Sequence, residues 1–392
     1  MMTRNTHAGH VKLPSDHDIK PIISLRHRLH RHAELSGREQ KTAEIIYDFL
    51  SPFRPDDIIT GIGGNGLAAV YEGKKEGPRI LIRADLDALP VTEPDTLEYA
   101  SAVTGVSHKC GHDGHMAIAA GLAPILHSRR PQKGAAILLF QPAEETGEGA
   151  ARVVSDPAFK KLNADQAFAL HNLPGFSLGT VVVRDGIFAS ASQGLIITLK
   201  GSCSHAAEPE NGISPALAVS QLIQQLSAMP QTSVPLHQGA KVTVIHASVG
   251  ERAFGTSPGH GTVMATLRAH RKSVMDRLTQ ECIHAAKAIG ALHSCSVKTE
   301  WTEVFPETFS YAECNNLLRQ AANRAGLPVH EAEHPFAWSE DFGHFTRLMP
   351  GALFGLGSGI NQPALHNPAY DFPDTLISTG ITLFHTLLSM LL

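Results

Sequence analysis

The sequence predicts an α/β protein: a catalytic-type domain with a central mixed sheet, interrupted by an inserted ferredoxin-like α+β unit. Three observations carry this expectation. From Leu67 to His171 short apolar runs alternate with helical patterns, the rhythm of a sheet with helices on its faces. Near Ser190 the order changes to β-α-β-β-α-β, the ferredoxin-like arrangement. After Phe305 the first rhythm resumes, so the larger domain is expected to be discontinuous, with residues 1–189 and 304–392 flanking an insert of 190–303.

Taken in order, Ile22, Leu25 and Leu29 form an apolar stripe that predicts a helix over about Asp16–Glu34, and a second helix is expected over Glu39–Leu50. LAAVYEG and RILIRAD read as strands, Met116–Ser128 as a helix, AAILLFQP as a buried strand, Gly149–Val154 as a short helix and QAFALH as a further strand. In the insert, SQGLIITLKG, AKVTVIHASVG, HGTVMATLRAH and SCSVKTEW read as strands, with helices over Ser214–Met229 and Lys272–Leu292. A helix over Ala312–Ala325, the strand GALFGLG and a helix from about Asp374 to Met390 follow.

With 392 residues the chain is long enough for two domains. Its 43% apolar and 18% charged content is that of an ordinary globular protein. A net charge of −4 leaves no basic footprint for nucleic acid, and no polybasic run suggests a membrane surface. No apolar run is long enough to span a bilayer. Cys110, Cys203, Cys282, Cys295 and Cys314 are scattered and odd in number, which does not read as a disulfide framework. The opening MMTRNTHAGHVKLPSDHD shows no apolar leader core, so the cytoplasm is the expected compartment.

The chemistry concentrates in the octapeptide HKCGHDGH, residues 108–115. It sets Cys110 two residues before His112, with Asp113 and His115 beside them, a thiol and imidazoles at a spacing that can hold a transition metal. Further ligand-type residues follow at Glu144 and Glu145, His171 and His366. Their placement matters more than their identity. Asp85 and Asp87 follow one strand, Glu144 and Glu145 another, His171 ends a third, and His366 lies in the loop after a fourth. Ligands of open α/β sheets gather outside the carboxyl ends of the strands, so these residues are expected to converge on one crevice, joined by the octapeptide just before a helix start. Five ligand sites suit two metals, and a two-metal site points to hydrolysis.

Cys110 could instead be a nucleophile with a histidine base, but the glutamates and extra histidines favour a thiolate ligand. The other four cysteines fall in helix or strand patterns and read as structural. Of Glu144 and Glu145, one can ligate while the other takes a proton from water, since two like charges so close raise one pKa. The residues alone leave open which does which.

Eight segments together, LHRHAELSGRE, RADLDALPVTE, HKCGHDGHMA, QPAEETGEGA, ALHNLPG, GSCSHAAEPENGISPA, WSEDFGHF and LHNPAYDFPD, resemble the di-metal amidohydrolases of the aminoacylase/carboxypeptidase G2-like metallopeptidase superfamily. The pattern is closest to the branch of hippurate hydrolase and the indole-acetyl–amino acid hydrolases. The resemblance implies Cys110, His112, Glu145, His171 and His366 as metal ligands, Glu144 as general base and Asp87 as an acid that orients a ligand. It implies that the insert is a lid that dimerises, that His205 reaches a partner's site to stabilise the oxyanion, and that Arg268 contacts substrate. The implied reaction is cleavage of the amide bond of N-acyl amino acids or similar small amides by an activated water. The alternatives are a dipeptidase or carboxypeptidase on the same site, or a non-catalytic binding protein. Two divalent ions per chain are implied; softness of the ligands favours zinc, with manganese, cobalt or nickel as alternatives. Small-molecule substrates and a homodimer are the expected partners. The stretch ERAFGTSPGHG departs from the pattern by lacking the family's lid asparagine, and AEPENGISP departs from the usual lid loop.

Overall fold

The computed structural model describes residues 16–94 and 96–392. The expectations for residues 1–15, that they begin the larger domain and carry no leader, lie outside these. The chain divides into two compact units. The first holds the described residues up to Phe188 with Thr308–His334 and Asp341–Leu392; the second holds Ala189–Glu307 and Pro335–Glu340, a short stretch that the sequence pattern groups with the first unit.

The first unit is built on an eight-stranded mixed sheet in the order Asp57–Ile62, Gly66–Glu72, Ala135–Gln141, Arg79–Asp85, Gln166–Pro174, Gly351–Gly359, Val181–Val183, Val329–Glu331. The four middle strands, Ala135–Gln141 to Gly351–Gly359, run parallel to one another. Burial on both faces explains their composition: all seven residues of Ala135–Gln141 are buried, and such strands read as continuous apolar runs rather than alternating ones. Being parallel, they present their carboxyl ends along one edge, where open sheets of this kind collect ligands. The helices Asp16–Arg31, His112–Ala120, Ala312–Ala325 and Thr375–Leu391 close over the sheet and share its apolar core.

The expected helix Met116–Ser128 is in fact two, His112–Ala120 and Ala123–Ser128. The first starts four residues early because Gly111 caps it in the left-handed region at φ +93°, where a Cβ would meet the Asn172 side chain at 2.5 Å. The octapeptide therefore does not precede the helix; its second half forms the first turn. Asp16–Arg31 is three residues shorter than expected, and Ala216–Ser233 extends four residues past Met229.

The second unit has a four-stranded antiparallel sheet in the order Ala240–Val249, His260–Ala269, Ala191–Lys200, Ser296–Phe305. Numbered along the chain this is 2-3-1-4, the ferredoxin-like order. Helices Ala216–Ser233 and Lys272–Leu292 pack on it; every second residue of His260–Ala269 is buried in a core that includes Leu222, Leu226, Leu278 and Cys282. Cys282 and Cys314 are buried in helices, and Cys295 is buried just beyond one. Cys203, expected within a regular element, is instead exposed in a loop. Among the described residues no helix is long and apolar enough to cross a membrane.

Candidate metal centre

The octapeptide is fixed from behind by its own polar residues. Asp113, fully buried, accepts hydrogen bonds from Arg26 at 3.1 Å and from His30 at 2.8 Å. Lys109, also buried, pairs with Glu93 and donates to the Tyr370 carbonyl at 2.9 Å. Burial opposes a charge on His30, yet hydrogen bonds and proximity to Asp113 and Glu93 raise its pKa to about 9. A closed set of opposite charges thus holds the first turn of the helix, and the backbone carbonyl of Lys109 receives the His366 N–H at 2.9 Å. His366 itself adopts φ +67°, a strained conformation for a residue with a side chain, of the kind that surrounding structure must enforce.

On the other side of the helix four groups of ligand-type atoms overlap. Cys110, His112 and His171 form one; Cys110, Glu145 and His366 a second; His112, Glu144 and Glu145 a third; Asp85, His112 and His115 a fourth. Within each, the atoms lie within 4.8 Å of one another. Cys110 Sγ is 3.5 Å from His171 Nε2. His112 Nε2 is 3.8 Å from Glu145 and 4.0 Å from Glu144, and His366 Nε2 is 3.9 Å from Glu145. The structure thus gathers Cys110, His112, Glu144, Glu145, His171 and His366, drawn from the octapeptide, the turn after Ala135–Gln141, the strand Gln166–Pro174 and one loop; His171, expected to end its strand, lies within it, because pairing with Gly351–Gly359 continues to Pro174. Asp87 lies behind them: it accepts the backbone N–H of Glu144 and of Glu145 and the Ser36 hydroxyl. His205 and Arg268 belong to the second unit.

The two buried imidazoles are pre-set for ligation. His112 Nδ1–H donates to the Asp87 carbonyl at 2.8 Å and His171 Nδ1–H to the Asn172 carbonyl at 2.9 Å, which directs each Nε2 into the cluster. His112 Nε2 and Glu145 Oε1 are buried without a hydrogen-bond partner. Buried orphans of this kind are costly unless something else satisfies them. The charges agree. Burial opposes a charge on His112, but Asp85, Glu145 and Asp87 outweigh it and raise its pKa to about 9. Burial, with Asp87 adding repulsion, raises Glu145 to about 7 despite attraction by His112. Burial and the carboxylates of Glu145 and Glu144 push the Cys110 thiol up as well. The acids thus favour a cation among them, the role a proton on His112 fills here and a metal ion would take over, and thiolate, imidazole and carboxylate are a donor set that divalent transition metals accept. The residues present therefore fit two divalent metal ions.

Sequence reasoning brought Asp85 and His115 to the crevice without giving either a role, and left Asn172 out. Asp85 accepts from His115 Nδ1 and from Arg83, both at 2.7 Å, and His115 Nε2 meets Asn172 Oδ1 at 2.5 Å. Both ring nitrogens of His115 are thereby engaged, which sets it apart from His112. Arg83 continues to Asp341 at 2.7 Å, and Asp341 is bound in turn by Gln141 and by the Ala150 N–H. The available signals were the i, i+3 spacing of His112 and His115 on one helix face and an arginine inside an apolar strand.

Comparison with known proteins agrees with this geometry. A family model described as peptidase family M20/M25/M40 matches residues 81–390. N-acetyl-L-cysteine deacetylase of Bacillus subtilis is 32% identical over 363 residues, spanning 91% of this chain and 85% of that protein. IAA-amino acid hydrolase ILR1-like 2 of Arabidopsis thaliana is 29% identical over 373 residues, spanning 92% and 82%. The crystal structure of the Bacillus subtilis YXEP protein, a dinuclear metal binding peptidase from the M20 family, superposes with a TM-score of 0.81 at 27% identity, covering 96% of this chain and 99% of that one.

Proposed function

The chain belongs to peptidase family M20/M25/M40, and on that premise we propose that it is a metal-dependent amidohydrolase cleaving the amide bond of N-acyl amino acids. The observation that carries this reading is the convergence of Cys110, His112, Glu145, His171 and His366, with His112 Nε2 and Glu145 Oε1 buried, 3.8 Å apart and without a hydrogen bond. These five residues would hold two divalent ions, zinc being favoured by the thiolate and imidazoles. When bound, such ions polarise a carbonyl and make water a stronger acid.

Glu144 is the general base in this account. Its carboxylate accepts the Asp341 N–H at 3.4 Å and its backbone is held by Asp87, so it is oriented from two sides. It takes the proton of the attacking water and returns it to the leaving nitrogen. His205 supplies an oxyanion donor. The Ala207 N–H donates to its Nδ1 at 3.0 Å, which leaves Nε2 as the proton-bearing nitrogen on an exposed ring. Arg268 donates through Nη1 to the Ala337 carbonyl and the Ser339 hydroxyl, keeping Nε and Nη2 for a substrate carboxylate.

His205 is assigned to the site of a partner in a homodimer formed through the second unit. The two edges of its sheet support this. Ser296–Phe305 carries Lys298, Glu300 and Glu303, the charges that protect an edge from pairing; Ala240–Val249 carries only Lys241 at one end and exposes Ile245. Five cysteines free of disulfides suit a reducing compartment, and we place the protein in the cytoplasm.

The test is a hydrolysis screen of N-acetyl, N-benzoyl and indole-acetyl amino acids against dipeptides, with zinc, manganese, cobalt and nickel supplied in turn. Release of amino acid from N-acyl substrates is expected. Turnover confined to dipeptides would replace this reading with a dipeptidase.

A further inference from the structure

The second unit holds a cavity of about 500 Å³ walled by Val234, Pro235, Leu236, Ala240, Arg268 and Ala337. It sits where the edge strand Ala240–Val249 begins, because Ala240 and Lys241 pair with Ala269 and Arg268. Leu236 at its rim is 101% exposed. The other end of the same strand leads into a loop carrying Phe254, which is 107% exposed.

Phe254 is held out rather than loosely placed. The Gly250 N–H bonds to the His260 carbonyl at 3.0 Å, and the Thr256 N–H closes back on Ala253 at 3.4 Å. Thr256 and Ser257 pair with His205 and Ser204, and the Ala206 N–H donates to Gly255 at 3.0 Å. A phenyl ring presented to water on a hydrogen-bonded ribbon lacks a partner among the described residues of its own chain. The cavity cannot serve it there, since a ten-residue strand places its two ends roughly 30 Å apart.

A second copy removes that separation. When two edge strands lie antiparallel about a two-fold axis, the end of each falls beside the start of the other, at a lateral spacing of about 5 Å. We propose that Phe254 of one subunit docks in the Val234–Pro235–Leu236 cavity of its partner, twice per dimer, and that this contact fixes the ribbon bearing His205 in the partner's direction. The inference rests on the dimer reading above and adds to it the residue that sets the register. The occupant it commits to is a second copy of this chain.

The experiment uses the full-length, metal-loaded protein in a Cys203→Ser background, which removes the exposed native thiol. Phe254→Cys and Leu236→Cys single variants are mixed, exchanged and treated with a short bismaleimide. A covalent dimer that needs both variants is the expected result. As a control for the edge pairing, Ile245→Cys, near the middle of the strand, should cross-link to its own copy. In sedimentation, Phe254→Ala should raise the dimer dissociation constant about a hundredfold, roughly tenfold for each of two buried rings. If Ile245→Cys cross-links while the mixed variants do not, the dimer stands and the Phe254 contact is overturned. A protein that stays monomeric and cross-links at neither position overturns both. If an N-acyl amino acid protects Leu236→Cys from alkylation in a monomer, the cavity is a small-molecule site and the docking is overturned.

Discussion

Asp87 grips the two neighbouring glutamates by their backbones: its Oδ1 accepts the Glu144 N–H at 3.0 Å and its Oδ2 the Glu145 N–H at 2.9 Å. One carboxylate thus aligns both acids, just after a turn in which Ala143 adopts φ +53°. Its Oδ2 also receives the Ser36 hydroxyl at 2.6 Å. Replacing Asp87 with Asn turns one acceptor into a donor facing an N–H. Metal affinity is expected to fall by about 10–100-fold, the usual effect of removing such support, with turnover falling alongside. Competition with a fluorescent chelator reads the affinity. Ser36→Ala, which removes one of three bonds, should do much less; equal effects of the two variants would deny Asp87 its aligning role.

Glu144 and Glu145 are adjacent, and the proposed mechanism gives them separate tasks. Glu144→Gln should keep both metals and lose turnover by orders of magnitude, because an amide cannot take a proton from water. Glu145→Gln should lose metal first, since Glu145 Oε1 lies between His112 and His366. Elemental analysis beside steady-state kinetics separates the two. The reverse pattern would exchange the assignments.

Cys110 gives the site a pH dependence with a definite sign. Burial and the nearby glutamates hold the metal-free thiol protonated at neutral pH, and metal binding must release that proton. Affinity should therefore rise with pH, by about tenfold or more per unit through the neutral range. Cys110→Ser should weaken binding, since an alcohol is a harder and less acidic ligand. An acyl group trapped on Cys110 in mass spectrometry would make it a nucleophile instead.

His205→Ala should lower turnover by about 10²–10³ with metal content unchanged, the typical loss for an oxyanion donor. Mixed with Glu144→Gln subunits it should regain activity, because one site in the hybrid then has an intact base and an intact partner histidine. No recovery after subunit exchange would confine His205 to its own chain.

Legibility in the sequence followed the solvent. Lys272–Leu292 and Ala312–Ala325 carry a one-sided apolar period, and their observed limits coincide with the expected ones. The ends of Arg79–Asp85 and Ala135–Gln141 were legible because Asp85 and Glu144 stand abruptly after apolar runs; the same sign misled at His171, where the strand runs on to Pro174. The first turn of His112–Ala120 was not, since HDGH is polar yet every residue of it is buried. A buried polar turn anchored by Arg26 and His30, some 85 residues away in the chain, has the same local signature as an exposed loop. Arg83 illustrates the same limit: nothing near it in sequence announces the bond to Asp341, 258 residues on.

On the proposed mechanism the converging ligands hold two divalent ions and hydrolysis depends on both. Metal-stripped protein should be titrated with zinc while release of amino acid from an N-acyl substrate is followed. The account predicts that activity rises from near zero to a plateau at about two equivalents per chain, with the fold intact at the start because a core of this size does not depend on metal. A protein that binds no metal, or one that hydrolyses the substrate equally well without it, would contradict the account.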